Sequence, residues 1–401
     1  MIATLSNAGP INLAVDPFNE AFLVDPYARH AELRDAGAVL WLSAIDSFGM
    51  ARHAEVKDAL ADPATFISSR GVGLADFAKE EPWRPPSLLL EADPPLHDRT
   101  RGLMNRIVAL PILKQLRPIW ADRADELVES LVAKRRFDAV TEFAEVFPML
   151  VFPDTIGLPK EGREHLLLYA AATFNAFGPR NALSEQTTAE AGSAFAWIAE
   201  VCRRRSLTPG GWGMAVYEAA DRGECTEAEA ERLVRSFLSA GVDTTVNGIA
   251  NMTNAFAHSP AEWDKLRARP SLAKKAFEES LRWDSTVQTF FRTTARDVEV
   301  AGVMIPEGAK VLLFLAAANR DPRRWADADR FDIDRVASGH VGFGFGIHQC
   351  LGQMVARMEA DVLLEAMISR IKTIRIVGRP VRRLNNTLHA LASLPIEIEP
   401  A

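Results

Sequence analysis

Phe343-Gly344-Phe345-Gly346-Ile347-His348-Gln349-Cys350-Leu351-Gly352 stands directly ahead of a helical pattern that runs from Leu351 to Ile371. The segment reads as a loop feeding a helix. Gly344 and Gly346 suit a tight turn with positive backbone angles, and they let the main chain come close to a flat ligand. Cys350 then falls at the helix N-terminus, where the dipole and free amides favour thiolate, the form a metal ligand requires. Taken alone, a cysteine beside such a turn reads as a buried structural residue. A nucleophile with His348 as its base is another reading, but two residues apart on a turn is poor triad geometry. The other cysteines, Cys202 and Cys225, are too scattered to build a disulfide framework or a zinc site with it. Cys350 has to be explained singly.

Outward from the loop, the 401 residues are 48% hydrophobic and 25% charged, too apolar for disorder. The Pro-rich stretches, Glu81 to Pro86 and Asp93 to Pro95, carry Trp, Leu and charges and read as ordered loops, not linkers. No internal repeat is found, and one catalytic domain over residues 1–401 is expected. Met1 to Pro17 lacks a basic region followed by an apolar run, so it does not read as a secretory signal. The longest apolar run, Val311 to Ala318, is far short of a membrane span. A cytoplasmic protein with no membrane association is expected. The net charge of −7 argues against nucleic acid as a partner.

Helical spacing of apolar residues dominates, and short alternating stretches sit near Val39–Leu42, Val298–Val303, Lys310–Phe314 and the C-terminal end. The expected class is mainly α with small β-sheets. Helices are expected over Pro26–Ala36, His97–Val108, Ile112–Lys134, Arg163–Phe177, Thr187–Arg205, Thr226–His258, Leu272–Trp283 and Leu351–Ile371. Thr226 with Glu229 makes a capping box, and no proline follows until Pro260. Such a helix would be roughly 50 Å long. Its apolar stripe Leu233, Phe237, Ala240, Gly241 places Thr244 on the inward face. Gly241 and Thr244 lie mid-helix, where Gly weakens the helix and Thr bonds back to the preceding turn, so a local distortion is expected there. Glu279 and Arg282, three apart, share a helix face and can pair, as many solvated surface residues do.

The loop around Cys350 resembles the haem-binding pattern F-G-x-G-x-H-x-C-x-G of the cytochrome P-450 family, and further motifs follow in family order over nearly the whole chain. The resemblance implies the cytochrome P-450 fold, haem b with Cys350 as the iron's axial ligand, and O2 as co-substrate. It implies that Phe343 packs near the thiolate and that His348 reaches a haem propionate. His97 and Arg101 match the H-x-x-x-R propionate contacts, and Arg292 in Phe290-Phe291-Arg292-Thr293-Thr294 matches another. Glu279 and Arg282 match the buried E-x-x-R element, with Arg335 as its third member, although the segment Phe331 to Arg335 departs from the commoner proline-bearing version. Ala240 to Thr245 matches the A/G-G-x-D/E-T groove, which implies Thr244 as hydrogen-bond donor to the oxidant and Asp243 as part of its proton supply. Electrons are expected from an iron–sulfur ferredoxin and its NAD(P)H-dependent reductase, and the enzyme is expected to be a monomer.

The substrate requires separate argument, because function lives in the site and not in the fold. Arg84 and Ser87 lie in the loop before the His97 helix; Arg235, Ser236 and Ser239 lie ahead of Asp243. Two arginines and several hydroxyls converging on one pocket would receive a carboxylate. Phe174, Phe177, Val287 and Phe290 would supply apolar walls. The bland alternative keeps both arginines in solvent. These segments, with Asp-Pro-Phe at Asp16, Ser-Ser-Arg-Gly-Val-Gly-Leu from Ser68, Trp-Arg-Pro-Pro-Ser from Trp83, Phe-Asn-Ala-Phe-Gly-Pro from Phe174 and Gln-Thr-Phe-Phe-Arg-Thr-Thr from Gln288, resemble the bacterial members that oxidise para-substituted benzoates by O-demethylation or hydroxylation. The resemblance implies that Arg84, Ser87, Arg235 and Ser236 handle a carboxylate. A neutral phenol or alkyl aromatic is the alternative substrate. A haem-binding sensor is the alternative function, against which Asp243-Thr244 argues.

Overall fold

The structure, a computed structural model, describes residues 9–401; the first eight residues of the Met1–Pro17 stretch lie outside the described residues. Helices make up most of it. At the centre runs Asp243–His258, whose residues are buried almost without exception from Asp243 to Ala257. A helix apolar or close-packed all round belongs in the middle of a large core. The helix Gln353–Arg370, which follows the cysteine loop, packs along Leu110–Lys134. Arg117 of the latter ties the two together through Asp361 at 3.3 Å and Glu365 at 2.6 Å.

The expected Thr226–His258 helix is two helices, Glu227–Ala240 and Asp243–His258, separated at Gly241–Val242. The capping box at Thr226 and Glu229 is present in both directions. A Cβ on Gly241 would sit 2.3 Å from the ring of Phe152 and 2.6 Å from the Phe237 carbonyl oxygen, so the backbone at the break has room for glycine alone. The Thr187–Arg205 window likewise divides, at Ala191, into Ala182–Glu190 and Gly192–Val201. Four helices of nine or more residues lie outside the expected windows, His53–Ala61, Val146–Ile156, Trp212–Asp221 and Pro260–Ala268, and the second and third pack into the main core.

A six-stranded mixed sheet flanks the helices, in the order Ile11–Leu13, Leu40–Leu42, Ser47–Met50, Lys310–Phe314, Thr289–Thr294, Phe66–Ile67. Thr289–Thr294 runs antiparallel to Lys310–Phe314, with Arg292 opposite Val311. Period-two alternation puts Phe290 and Arg292 on one face of this strand, and both line the interior cavity. The expected strand near Val298–Val303 is a hairpin, Val298–Val300 with Val303–Ile305, turned by Ala301 and Gly302 at positive φ of 49° and 82°.

Candidate active site

The cysteine loop is shaped by its two glycines. Gly344 and Gly346 both have φ of 71°, and a Cβ on Gly346 would stand 2.4 Å from the carbonyl oxygen of Leu60, so the loop presses on the end of His53–Ala61. The Cys350 amide donates to the Phe343 carbonyl at 2.8 Å and closes the loop on itself. The following helix begins at Gln353, two residues later than the sequence reading placed it. Burial pushes the Cys350 thiol up, opposed by hydrogen bonds from the Gly352 and Gln353 amides and by the charges of Arg101 and Arg357. A metal cation at the sulfur reverses that balance. Phe343 packs under the loop with the Arg357 guanidinium 4.6 Å from its ring centre.

Cys350 opens onto a cavity bounded on one side by the loop from Gly342 to Gly352 and on the other by Gly241, Thr244, Thr245 and Gly248. About 260 Å³ of it is open to the centre of a water-sized sphere. Cations without counter-ions surround this slot. Arg292 is only 3% exposed, and its one hydrogen bond goes to the Phe291 carbonyl at 2.8 Å. Burial pushes its guanidinium down to about 10, against the pull of Asp93. Arg101 donates to Asn105 at 3.1 Å and pairs with no carboxylate among the described residues. His348 and His97 approach with ring centres 4.6 Å apart, and the Nε2 atom of each is buried without a partner. His97 stands behind the lining, with Nδ1 3.1 Å from Asp98. Buried charge is costly unless paired. Two unpaired arginines and two free imidazole nitrogens around a flat slot with a cysteine in its floor suit a planar, doubly anionic metal complex. The residues fit haem b, with its two propionates and thiolate-ligated iron.

Across the slot, the helix break frees backbone groups that side chains take up. The Thr244 hydroxyl donates to the Ala240 carbonyl at 2.7 Å, and the Thr245 hydroxyl donates to Gly241 at 3.3 Å. Asp243 is fully buried and faces away from the slot. Its Oδ1 accepts from Asn247 at 3.0 Å and pairs with Arg383, while Oδ2 is buried without a partner.

At the far end of the cavity, Arg84, Ser87, Arg235, Ser236 and Ser239 all line the wall, and Phe174, Phe177, Val287 and Phe290 line its apolar part. Arg84 is not a free cation: its Nη1 lies 3.2 Å from Glu91, and its side chain is 10% exposed. The Ser87 hydroxyl accepts from the Leu89 and Leu90 amides, which shapes the turn. Ser236 and Ser239 bond back to Arg232 and Arg235 carbonyls, and Ser239 also reaches the Tyr169 hydroxyl at 3.3 Å. Arg232, which the sequence reading passed over, also lines the cavity. Its three-residue spacing from Arg235 was the available signal.

Glu279, Arg282 and Arg335 lie away from the cavity and form one network. Arg282 and Glu279 are fully buried and joined by two bonds of 2.7 and 2.8 Å, and Arg335 Nε donates to Glu279 at 3.1 Å. A separate surface depression of about 690 Å³ between Trp283, Asp329 and Arg382 contains none of the residues expected from sequence.

Comparison with known proteins agrees with this geometry. Residues 250–399 match the family described as Cytochrome P450. The chain is 53% identical over 395 residues to cytochrome P450 CYP199A2 of Rhodopseudomonas palustris, covering 98% of this chain and 96% of that one. It is 31% identical over 394 residues to a vitamin D(3) 25-hydroxylase of Pseudonocardia autotrophica, covering 96% of each. The solved structure of CYP109Q5 from Chondromyces apiculatus superposes with a TM-score of 0.81 at 32% identity, over 96% of this chain and 98% of that one. No helix among the described residues is long and apolar enough to cross a membrane. A cysteine loop, a slot ringed by unpaired cations and a likeness spanning nearly the whole chain converge: the chain belongs to the cytochrome P450 family, haem-thiolate monooxygenases that bind haem b and use O2.

Proposed function

We propose that this monooxygenase oxidises the para substituent of a benzoic acid, by O-demethylation of a methoxy group or hydroxylation of an alkyl group. The observation that carries the reading is the far end of the cavity, where Arg84, Arg232 and Arg235 line the wall beside the hydroxyls of Ser87, Ser236 and Ser239, no carboxylate is among the lining residues, and Glu91 behind the wall contacts Arg84 alone of the three. Such an excess of guanidinium over carboxylate attracts an anion and fixes its orientation. Arg235 lies six residues, roughly 9 Å along the axis of Glu227–Ala240, before the break at Gly241 that lines the slot. An arginine side chain covers part of that distance and an aromatic ring the rest, so the ring's para carbon points at the cysteine-floored slot. Phe174, Phe177, Val287 and Phe290 hold the ring and exclude water.

Haem b, held by Cys350 with Arg101, Arg292, His348 and His97 toward its propionates, supplies the centre at which O2 takes up two electrons, the thiolate favouring O–O cleavage. The Thr244 hydroxyl can turn from the Ala240 carbonyl to donate into the slot. Asp243 keeps one buried oxygen free to hold a proton or a water, and Arg383, whose side chain is 31% exposed, anchors the other toward the surface. For a methoxybenzoate, the methyl C–H bond becomes C–OH and the resulting hemiacetal collapses. One O2, two electrons and two protons then yield a phenol, formaldehyde and water. The electrons come from an iron–sulfur ferredoxin and its reductase.

The test is a screen of Soret shifts on the ferric enzyme with 4-methoxybenzoate and its neutral analogue 4-methoxyacetophenone, followed by product analysis. Tighter binding of the acid, with formaldehyde and 4-hydroxybenzoate formed in equal amounts, supports the reading. Equal binding moves a neutral phenol or alkyl aromatic ahead.

A further inference from the structure

The acid end of the cavity is a cluster of four charges in which the one carboxylate is unevenly shared. Arg84 lies 3.2 Å from Glu91 Oε2, whose side chain is 3% exposed, and the same oxygen accepts the Ser87 amide at 2.7 Å. Glu91 therefore neutralises Arg84 and fixes the turn that carries Ser87. Arg232 has no such companion. The carboxylate one turn before it, Glu229, is already taken by the Arg99 guanidinium and the Thr226 amide. Arg232 keeps a single bond, from Nη2 to the Pro86 carbonyl at 2.5 Å, and its Nε is buried without a partner. Burial pushes its guanidinium down, and the neighbouring charges of Arg235 and Arg84 push the same way, against the more distant pull of Glu229 and Glu91, neither of which contacts it. Arg235 donates to Pro85 at 2.9 Å and stands nearer solvent. Of the three, Arg232 is the guanidinium with buried donor capacity and no carboxylate to use it.

We propose that Arg232 is the residue that holds the charge of the substrate carboxylate, and that Glu91 is a resident counter-ion competing with that carboxylate for Arg84. The proposal rests on the aromatic-acid reading above and divides its arginines into different roles. Arg232 supplies uncompensated charge. Arg84 shapes the lid through Glu91 and Pro85, and it contributes charge only to the extent that Glu91 releases it. A tether between the helix Glu227–Ala240 and the loop from Trp83 to Ser87, the lid of this end of the cavity, would affect acids and neutral ligands alike; a charge partner would not. Neutralising Glu91 has an effect that no tether produces, because it frees Arg84 and makes the acid bind more tightly.

The experiment uses the ferric holoenzyme and reads dissociation constants by Soret shift for 4-methoxybenzoate and 4-methoxyacetophenone, in wild type and in Arg232→Gln, Arg232→Lys and Glu91→Gln. Each variant is first checked for the wild-type ferrous carbonyl spectrum. Arg232→Gln is expected to weaken the acid about tenfold or more while the ketone stays within about twofold, as loss of a charged hydrogen bond implies. Arg232→Lys should recover part of the loss. Glu91→Gln keeps an acceptor for the Ser87 amide and should tighten the acid severalfold with little change for the ketone. Equal loss for acid and ketone in Arg232→Gln overturns the proposal, and so does an unchanged or weakened acid in Glu91→Gln. If wild type itself binds acid and ketone equally, the aromatic-acid reading fails and takes this proposal with it. If wild type prefers the acid and the variants depart from the pattern, only the division of roles fails.

Discussion

Replacing Arg292 by Met separates what this residue does for the polypeptide from what it does for the cofactor. In the protein alone, Arg292 is a nearly buried cation whose one hydrogen bond goes to a carbonyl. Burial brings its guanidinium from the ordinary 12.5 down to about 10. At about 1.4 kcal/mol per unit, that depression is roughly 3 kcal/mol of disfavoured charge. Methionine retains the unbranched stem and much of the packing. The haem-free protein should therefore gain up to ~3 kcal/mol from Arg292→Met. The haem-bound protein should lose a charged hydrogen bond to a propionate, about 1.5–3 kcal/mol, or about 10- to 150-fold in haem affinity. Urea unfolding of the haem-free protein measures the first quantity, and the rate of haem transfer to a competing apoprotein reports the second. The two effects have opposite signs, which packing loss alone cannot produce. A haem-free variant that is less stable than wild type, or haem that leaves no faster, would refute the assignment of Arg292 to an anionic partner.

Thr244→Ala removes the hydroxyl that lines the slot. Substrate affinity should change by less than about twofold, while electrons are diverted from product to hydrogen peroxide; unchanged coupling would count against a proton-donating role. Arg282 uses all five N–H groups on Glu279, Asn319, Ala328 and Arg330; Glu279 Oε1 and the Arg330 carbonyl also accept from Arg335, whereas Glu279 Oε2 and the Asn319 and Ala328 carbonyls depend on Arg282, and the single nitrogen of a lysine cannot stand at all three places of the planar fork, so Arg282→Lys leaves one or two of them unmet. At about 1–3 kcal/mol each, stability should fall by roughly 1–6 kcal/mol in denaturant titrations, and a loss under about 0.5 kcal/mol would contradict the network's importance. His30 is buried among Phe22, Tyr27 and Phe314 with neither nitrogen partnered, and burial, aided by Arg34 and Arg320, holds it well below the ordinary 6.5. The unfolded chain therefore binds a proton below about pH 6.5 that the folded chain refuses, so stability falls on acidification by up to about 1.4 kcal/mol per pH unit. His30→Met should flatten that slope, and parallel urea midpoints for the two proteins across pH 5 to 7 would exclude His30 as its source.

Local chemistry was legible in the sequence, and long-range partners were not. The capping box at Thr226, the positive φ of Gly344 and Gly346 and the weakness of the helix at Gly241 follow from a few adjacent residues, and all are present. That Gly241 has no room for a side chain depends in part on Phe152, which the chain brings from 89 residues earlier. Glu91 pairs with Arg84 only because the intervening turn folds back, and Arg232 reaches Pro86 across 146 residues. Arg383 meets Asp243 across 140 residues and was not foreseen. Spacing along one helix can say which charges share a face, but not which counter-charge another segment delivers. The helix Val146–Ile156 escaped notice for a related reason: it is apolar on nearly every side and contains Pro153, so neither periodicity nor composition marked it.

Gly241 and Phe152 also bear on how the protein can be engineered. Exchanging a mid-helix glycine for alanine is a standard route to a more rigid protein, favoured by about 1 kcal/mol of helix propensity. Here the ring behind the backbone forbids it, because the added methyl and the phenyl group would claim the same volume. The ring fills the space beside the backbone where the two helices part. Thinning that ring, by Phe152→Leu or smaller, removes one of two obstacles to a side chain at Gly241; the Phe237 carbonyl oxygen, 2.6 Å from the same Cβ position, remains. The backbone that faces Cys350 across the slot is thus constrained from a position on a different helix, and a substitution at Phe152 bears on the slot as well as on the core, since Phe152 and Gly241 both line it.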